Sequence, residues 1–170
     1  HSSNRRQRQM CIRDSINSPQ NFKWRLKRFG DIVVSLILLI ITSPIIILSA
    51  LLIKIEDNGP IFYSQERTGL YGEKFNIFKL RSMKKNSEKE GPVWAKLNDP
   101  RVTKIGGLLR KSRIDELPQL WSVIKGEMSL IGPRPERPEI EKLLIREIPF
   151  YTFRSTIRPG LSGWAQVNYR

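Results

Sequence analysis

Between Ile32 and Ile53 the chain runs for 22 residues without a charged side chain. As a straight helix this stretch is about 33 Å long, enough to cross a hydrocarbon core of roughly 30 Å. It is apolar all round, as a helix of a modest soluble core is not, so it reads as a membrane helix. Pro44 lies near its middle, removes the hydrogen bond to the Ile40 carbonyl and kinks the helix. Thr42 and Ser43 can turn their hydroxyls onto the freed carbonyls. Two topologies follow: a kinked helix that spans, or one that dips in and returns to the same face. Lys23, Arg25, Lys27 and Arg28 precede the run and a strongly basic region follows it. Positive charge prefers the cytoplasmic side, and only a re-entrant helix keeps both flanks there. The re-entrant form is favoured, with its break at Ser43-Pro44.

The segment before it, Phe22-Lys23-Trp24-Arg25-Leu26-Lys27-Arg28-Phe29-Gly30-Asp31, interleaves aromatic and basic residues. Such a composition suits the headgroup layer of an anionic membrane, although nucleic acid would tolerate it too. The apolar run that follows decides for membrane lipids. A net charge of +14 points the same way without choosing among anionic lipid, nucleic acid and phosphorylated substrates.

Residues 1–15 read differently from the rest. Arg5 to Asp14 carries no apolar periodicity and resembles translated adaptor sequence, so the stretch is treated as a non-native lead, with a natural basic tail as the alternative. Setting it aside removes four arginines and one aspartate, leaving +11, and with them the only histidine and the only cysteine. Zinc centres, cysteine nucleophiles, disulfides and Ser-His-Asp triads are then unavailable. No Walker loop and no Gly-x-Gly-x-x-Gly appears either, so phosphate binding must rest on other groups.

The chemistry concentrates in Arg113-Ile114-Asp115-Glu116-Leu117-Pro118-Gln119-Leu120-Trp121, followed by Gly126 to Pro135. Asp115 is the expected N-cap of a helix with Leu117, Leu120, Trp121 and Ile124 on its apolar face, and Pro118 falls in the first turn. A well-capped helix is the plain reading. The functional one uses the same geometry: free N–H groups and the helix dipole attract phosphate and keep a carboxylate ionised. A carboxylate so placed can attack phosphorus, with Arg110, Lys111, Arg113 and Arg134 supplying charge and Mg²⁺ completing the site.

Together with Gly132-Pro133-Arg134-Pro135 and Arg158-Pro159-Gly160-Leu161-Ser162-Gly163-Trp164-Ala165-Gln166-Val167-Asn168, this stretch resembles the bacterial sugar transferase family, monotopic polyprenyl-phosphate phosphoglycosyl transferases. The resemblance runs from about Lys27 to the last residue and includes a Ser-Pro break in the membrane helix. It implies that Asp115 attacks the β-phosphorus of a UDP-sugar, releases UMP and carries a phosphosugar that passes to undecaprenyl phosphate. Glu116 then positions Mg²⁺ or Asp115, both acids being metal candidates. Arg134 with Pro133 and Pro135 contacts the nucleotide. Lys79, Arg81, Arg113, Arg158 and Gln166 are carried over as substrate-binding candidates. It also implies the cytoplasmic face of a bacterial inner membrane, and it admits a homodimer. Members of the family continue beyond the Gln-Val-Asn motif, so the sequence reads as C-terminally incomplete at Arg170.

The intervening chain supplies a scaffold. Ile61-Phe62-Tyr63-Ser64-Gln65 and Lys74 to Leu80 read as a hairpin around Gly69-Leu70-Tyr71-Gly72, with Phe75, Ile77 and the Ile61/Tyr63 face inward. Lys79 and Arg81 at its exit are otherwise solvated strand-end charges. Met83 to Asp99 is a polar surface loop whose Trp94 packs locally, with an interfacial anchor or a lid residue as the alternatives. Thr103 to Lys111 makes an amphipathic helix through Ile105, Leu108 and Leu109. Pro138 to Ile148 makes another, with Ile140, Leu143 and Leu144 inward.

The expectation is an α+β fold: a membrane segment over 22–55 with a re-entrant helix, then a small cytoplasmic domain over 56–170 with amphipathic helices and a short β-hairpin. The expected activity is phosphoglycosyl transfer from a UDP-sugar to undecaprenyl phosphate with Mg²⁺, with membrane lipids as partners and no nucleic acid. The alternatives are a membrane-anchored basic module for nucleic acid or lipid, and a non-catalytic fragment.

Overall fold

A computed structural model describes residues 22–85, 87 and 99–168. The lead over 1–15 and Trp94 lie outside the described residues. Helix α1 (Phe22–Asp57) is followed by a hairpin of β1 (Phe62–Thr68) and β2 (Lys74–Leu80). Next come α2 (Lys104–Ser112), a 3-10 segment (Ile114–Gln119) and α3 (Leu120–Lys125). The chain closes with β3 (Ser129–Ile131), α4 (Pro138–Glu147), a 3-10 segment (Tyr151–Thr156), β4 (Gly160–Ser162) and α5 (Trp164–Asn168). This is the expected α+β arrangement of a long apolar helix and a small domain with a short antiparallel hairpin.

Helix α1 runs through Pro44, and the expected compensation is present. Ser43 Oγ donates to the Ile40 carbonyl at 2.8 Å, the acceptor that proline leaves free, and Thr42 Oγ1 donates to Leu38 O at 2.7 Å. The two ends of α1 are held by the same small domain. At the first, Lys27 and Asp31 meet Ser129, and Arg28 donates to Val123 O and Ile124 O at 2.6 and 2.8 Å. At the second, Ile53 packs with Leu80 and Leu109, Asp57 pairs with Arg81, and Glu56 accepts from the Ile105 N–H. Between them Leu36, Ile37, Ile40, Ile41, Ile45, Ile47 and Leu48 are exposed. A helix laid straight through a bilayer would put these ends on opposite sides of it. Here both ends meet the same small domain, and the apolar side chains between them stay exposed.

The hairpin sits between two small cores because strand side chains alternate in direction. Its register pairs Tyr63 with Lys79, Gln65 with Ile77 and Arg67 with Phe75, so these six share one face. Ile77 on that face packs with Val123 and Met128, while Leu80 on the other meets Ile53 and Leu109. Strand β1 reaches Thr68, three residues beyond the expected end, and Tyr63 is exposed rather than inward.

Other departures follow from packing that periodicity does not report. Thr103 caps α2 by accepting from the Gly106 N–H at 2.9 Å, and Leu109 is buried, but Leu108 is exposed. In α4, Leu143 is exposed while Ile140 and Leu144 are half-buried. Asp115 is not an N-cap. The chain leaves α2 through Arg113 in the left-handed conformation and enters the 3-10 segment directly, with Asp115 in its first turn, and Trp121 points outward.

Strands β3 and β4 pair in parallel, Ser129 with Gly160 and Ile131 with Ser162. The pairing needs glycine: a Cβ on Gly160 would run into the backbone of Gly132. It lays the Gly132–Pro135 turn beside the Arg158–Gln166 stretch, through Gly160 N–H to Pro133 O and Gly132 N–H to Ser162 O, each 2.9 Å. Thr68 N–H to Glu136 O, also 2.9 Å, ties the same turn to the hairpin.

Candidate active site

These ties bring three sequence-distant stretches around one acid pair. Lys79, on the core-facing side of β2, places Nζ 2.7 Å from Glu116 Oε1. Arg134, from the turn after β3, reaches the same oxygen at 3.2 Å, and Arg113 stands 3.8 Å from Oε2. Asp115 is buried, and its Oδ1 has no hydrogen-bond partner. A shallow cleft open to solvent lies beside Glu116, lined by Lys79, Glu116, Arg134, Pro135 and Gln166 among the expected residues, and also by Arg67 and Gln119; Asp115 adjoins it through Glu116 and is not itself in the lining. Pro133 lines a neighbouring depression that shares Arg134 and Pro135.

The two carboxylates differ electrostatically. Burial raises the Asp115 carboxyl above its usual range, against the pull of Lys79. That outcome corrects the expectation that helix N–H groups and the dipole hold Asp115 ionised: the Glu116 N–H is already spent on Arg113 O. Burial also penalises the Glu116 anion, but Lys79, Arg134 and Arg113 together outweigh it and hold Glu116 below the usual carboxylate range. Lys79 is lowered by its own burial, with Glu116 opposing.

Arg81 and Arg158 lie elsewhere. Arg81 is 7% exposed and ion-paired with Asp57 at the end of α1, tightly packed against Gly59. Arg158 Nε donates to Gly126 O at 3.0 Å, beside the carbonyls that Arg28 caps. The C-terminal end of α3 carries the negative pole of its dipole and draws both arginines. Neither is a solvated charge of the acid pair's cleft. Ser43 and Pro44 act within α1.

Three contributors were not among the expected site residues. Gln119, four positions after Asp115, is 4% exposed and lines the cleft. Its place in the same short motif as the two acids was the signal for it. Arg67 shares its strand face with Lys79, a consequence of period-two alternation once β1 is known to reach Thr68. Arg154 donates to the Arg134 carbonyl and stacks on Tyr151, 4.8 Å from the ring centroid, so it fixes the basic turn from behind. Sequence spacing gave no sign of that contact.

The donor set suits one kind of metal ion. Among the described residues no three His, Cys, Asp or Glu side chains gather. Mg²⁺ is commonly held by one or two carboxylates plus substrate phosphates, and Asp115 Oδ1 is a buried acceptor without a partner. Asp115 therefore fits such an ion, whereas Glu116 already faces three cations.

The sequence profile of the family described as bacterial sugar transferase matches residues 22–170. The UDP-N-acetylgalactosamine-undecaprenyl-phosphate N-acetylgalactosaminephosphotransferase of Aeromonas hydrophila is 49% identical over 142 residues, 84% of this chain and 34% of that protein. The UDP-glucose:undecaprenyl-phosphate glucose-1-phosphate transferase of Escherichia coli (strain K12) is 40% identical over 143 residues, 84% of this chain and 31% of that protein. A sugar transferase of Bacillus subtilis (strain 168) with no characterised activity is 40% identical over 149 residues, covering 85% and 69%. The chain thus spans about a third of the length of the first two.

Proposed function

The chain belongs to the bacterial sugar transferase family, and on that premise we propose that it moves a phosphosugar from a UDP-sugar to undecaprenyl phosphate. The carrying observation is the divided acid pair: Glu116 clamped by Lys79 and Arg134, and Asp115 buried beside it with a carboxylate oxygen uncommitted.

In the first step an Asp115 oxygen attacks the β-phosphorus, the bond from that phosphorus to the bridging oxygen breaks, and UMP leaves with the bond's electron pair. Asp115 now carries the sugar phosphate as an acyl phosphate. In the second, an oxygen of undecaprenyl phosphate attacks the same phosphorus and expels the carboxylate, giving undecaprenyl-diphospho-sugar. No proton has to be moved, which suits a site built without histidine. Burial removes the hydration that would blunt the Asp115 nucleophile, and Lys79, Arg134 and Arg113 offset phosphate charge where it develops. Bound at Asp115 and the diphosphate, Mg²⁺ would supply further neutralisation of the phosphoryl oxygens.

Helix α1 brings the lipid substrate to this site. On this reading its exposed apolar middle lies in the inner membrane and the domain on the cytoplasmic face, supported by the meeting of both helix ends with one domain and by their basic flanks. The greater identity to an N-acetylgalactosamine enzyme than to a glucose enzyme favours an acetamido sugar in the donor.

The test is intact-mass analysis of the chain in nanodiscs with Mg²⁺ and a panel of UDP-sugars, without lipid acceptor. A mass increase of one phosphosugar is expected, absent in Asp115→Asn at unchanged melting behaviour. An Asp115→Asn protein that still formed the adduct would remove Asp115 as nucleophile.

A further inference from the structure

The cleft beside the acid pair contains two buried N–H donors with nothing to donate to. Gln119 Nε2 is one and Arg67 Nε is the other. Arg67 is otherwise engaged: one terminal nitrogen donates to Pro135 O at 3.3 Å and the other to Gln65 Oε1. The guanidinium is therefore fixed, with its Nε left over. Gln119 is anchored on the 3-10 segment that carries Asp115 and Glu116, so its amide keeps a constant relation to the nucleophile.

An unpaired buried donor is a cost to the fold, and two in one cleft repeat that cost unless something arrives to accept from them. The cleft's own anion does not serve, since Glu116 Oε1 already takes Lys79 and Arg134. The missing partner must present acceptors without competing donors, and it must tolerate Lys79, Arg134 and Arg67 along one wall. Lys79 and Arg134 share a single carboxylate, Glu116, so a neutral amide or a sugar hydroxyl would offset none of the remaining positive charge. A phosphoryl group has acceptor oxygens only and carries the right charge.

We infer that Arg67 and Gln119 are substrate-binding residues that grip the β-phosphoryl group of the donor, the group whose phosphorus Asp115 attacks. The inference rests on the reading of the donor as a nucleoside diphosphate sugar, and adds two residues that were not among the expected site residues.

The experiment compares the affinities of UDP and UMP for the full chain in nanodiscs with Mg²⁺, by calorimetry, for the native chain, Gln119→Leu and Arg67→Lys. UMP lacks the β-phosphoryl group and serves as the internal reference. Each variant is expected to weaken UDP about tenfold and leave UMP within about twofold. Gln119→Leu should also melt no lower than the native chain, because it deletes an unpaired donor at similar volume. Arg67→Lys keeps the charge while losing the fork, so it guards against a folding failure in the other variant. Unchanged UDP binding in both variants, or equal losses for UDP and UMP, would overturn the inference and leave the donor reading intact. A native chain that bound neither nucleotide would overturn both.

Discussion

Asp115 and Glu116 are neighbours in sequence with opposite linkage to folding. Glu116 is held below its usual range, so its contribution to stability is complete above the unfolded carboxylate value and fades as pH falls through its folded one. Asp115 is raised, so the folded state prefers its protonated form and loses stability as pH rises through that folded value. At neutral pH Asp115→Asn should therefore melt at or above the native chain. Glu116→Gln should lose about 2 kcal/mol, or roughly 4–8 °C, because it strands a buried Lys79. That deficit should shrink on acidification, as native Glu116 takes up its own proton. Differential scanning fluorimetry of the three proteins across pH measures both signs. A Glu116→Gln deficit that grew toward acid would contradict the ion-pair account.

Among the elements, α1 carries the sharpest expectation. Pro44 denies Ile40 O its backbone partner, and Ser43 takes its place. Pro44→Ala restores the ordinary bond and removes the cause of a bend. A straight α1 would put about 45 Å between Lys27 and Asp57, which works against holding Lys27 near Ser129 and Asp57 near Arg81 on one small domain. The variant should shift part of the population to a spanning orientation. A cysteine at Phe22 would then be labelled from outside the cell by an impermeant reagent, whereas the same cysteine in the Pro44 background stays protected. Equal protection in both would mean that the domain's grip, not the proline, sets the topology. The hairpin, by contrast, owes its placement to side-chain alternation: one face feeds the core and the cleft, so Ile77, Lys79 and Arg67 come as a set.

For the whole molecule, two kinds of force act on the membrane contact. The net charge of +14 attracts anionic lipid, and salt screens that attraction over a Debye length of about 3 Å at 1 M. The exposed apolar middle of α1 is insensitive to such screening. Sedimentation with anionic vesicles should therefore persist at about 1 M salt and yield only to detergent. Release by salt alone would reduce α1 to an interfacial helix and recast the chain as a basic surface module.

The sequence by itself determined whatever depends on near neighbours along the chain. A long uncharged run dictates a long apolar helix, alternation dictates the hairpin, and Thr103 dictates the start of α2. The adjacent acids and the Pro-Arg-Pro turn were legible for the same reason. The tertiary structure alone decided which charges meet. Lys79 finds Glu116 across 37 positions, Arg81 is taken by Asp57 across 24, and Arg28 reaches Val123 across 95. A cation on a helix end or strand end is equally suited to phosphate, carboxylate or a helix carbonyl. Its choice rests on the glycine-dependent pairing of β3 with β4 and on the packing of the hairpin between two cores. Arg67 and Gln119 enter the cleft because the hairpin and the 3-10 segment meet there, and Arg81 and Arg158 leave it because Asp57 and the Gly126 carbonyl lie within their reach, whatever the distance in sequence.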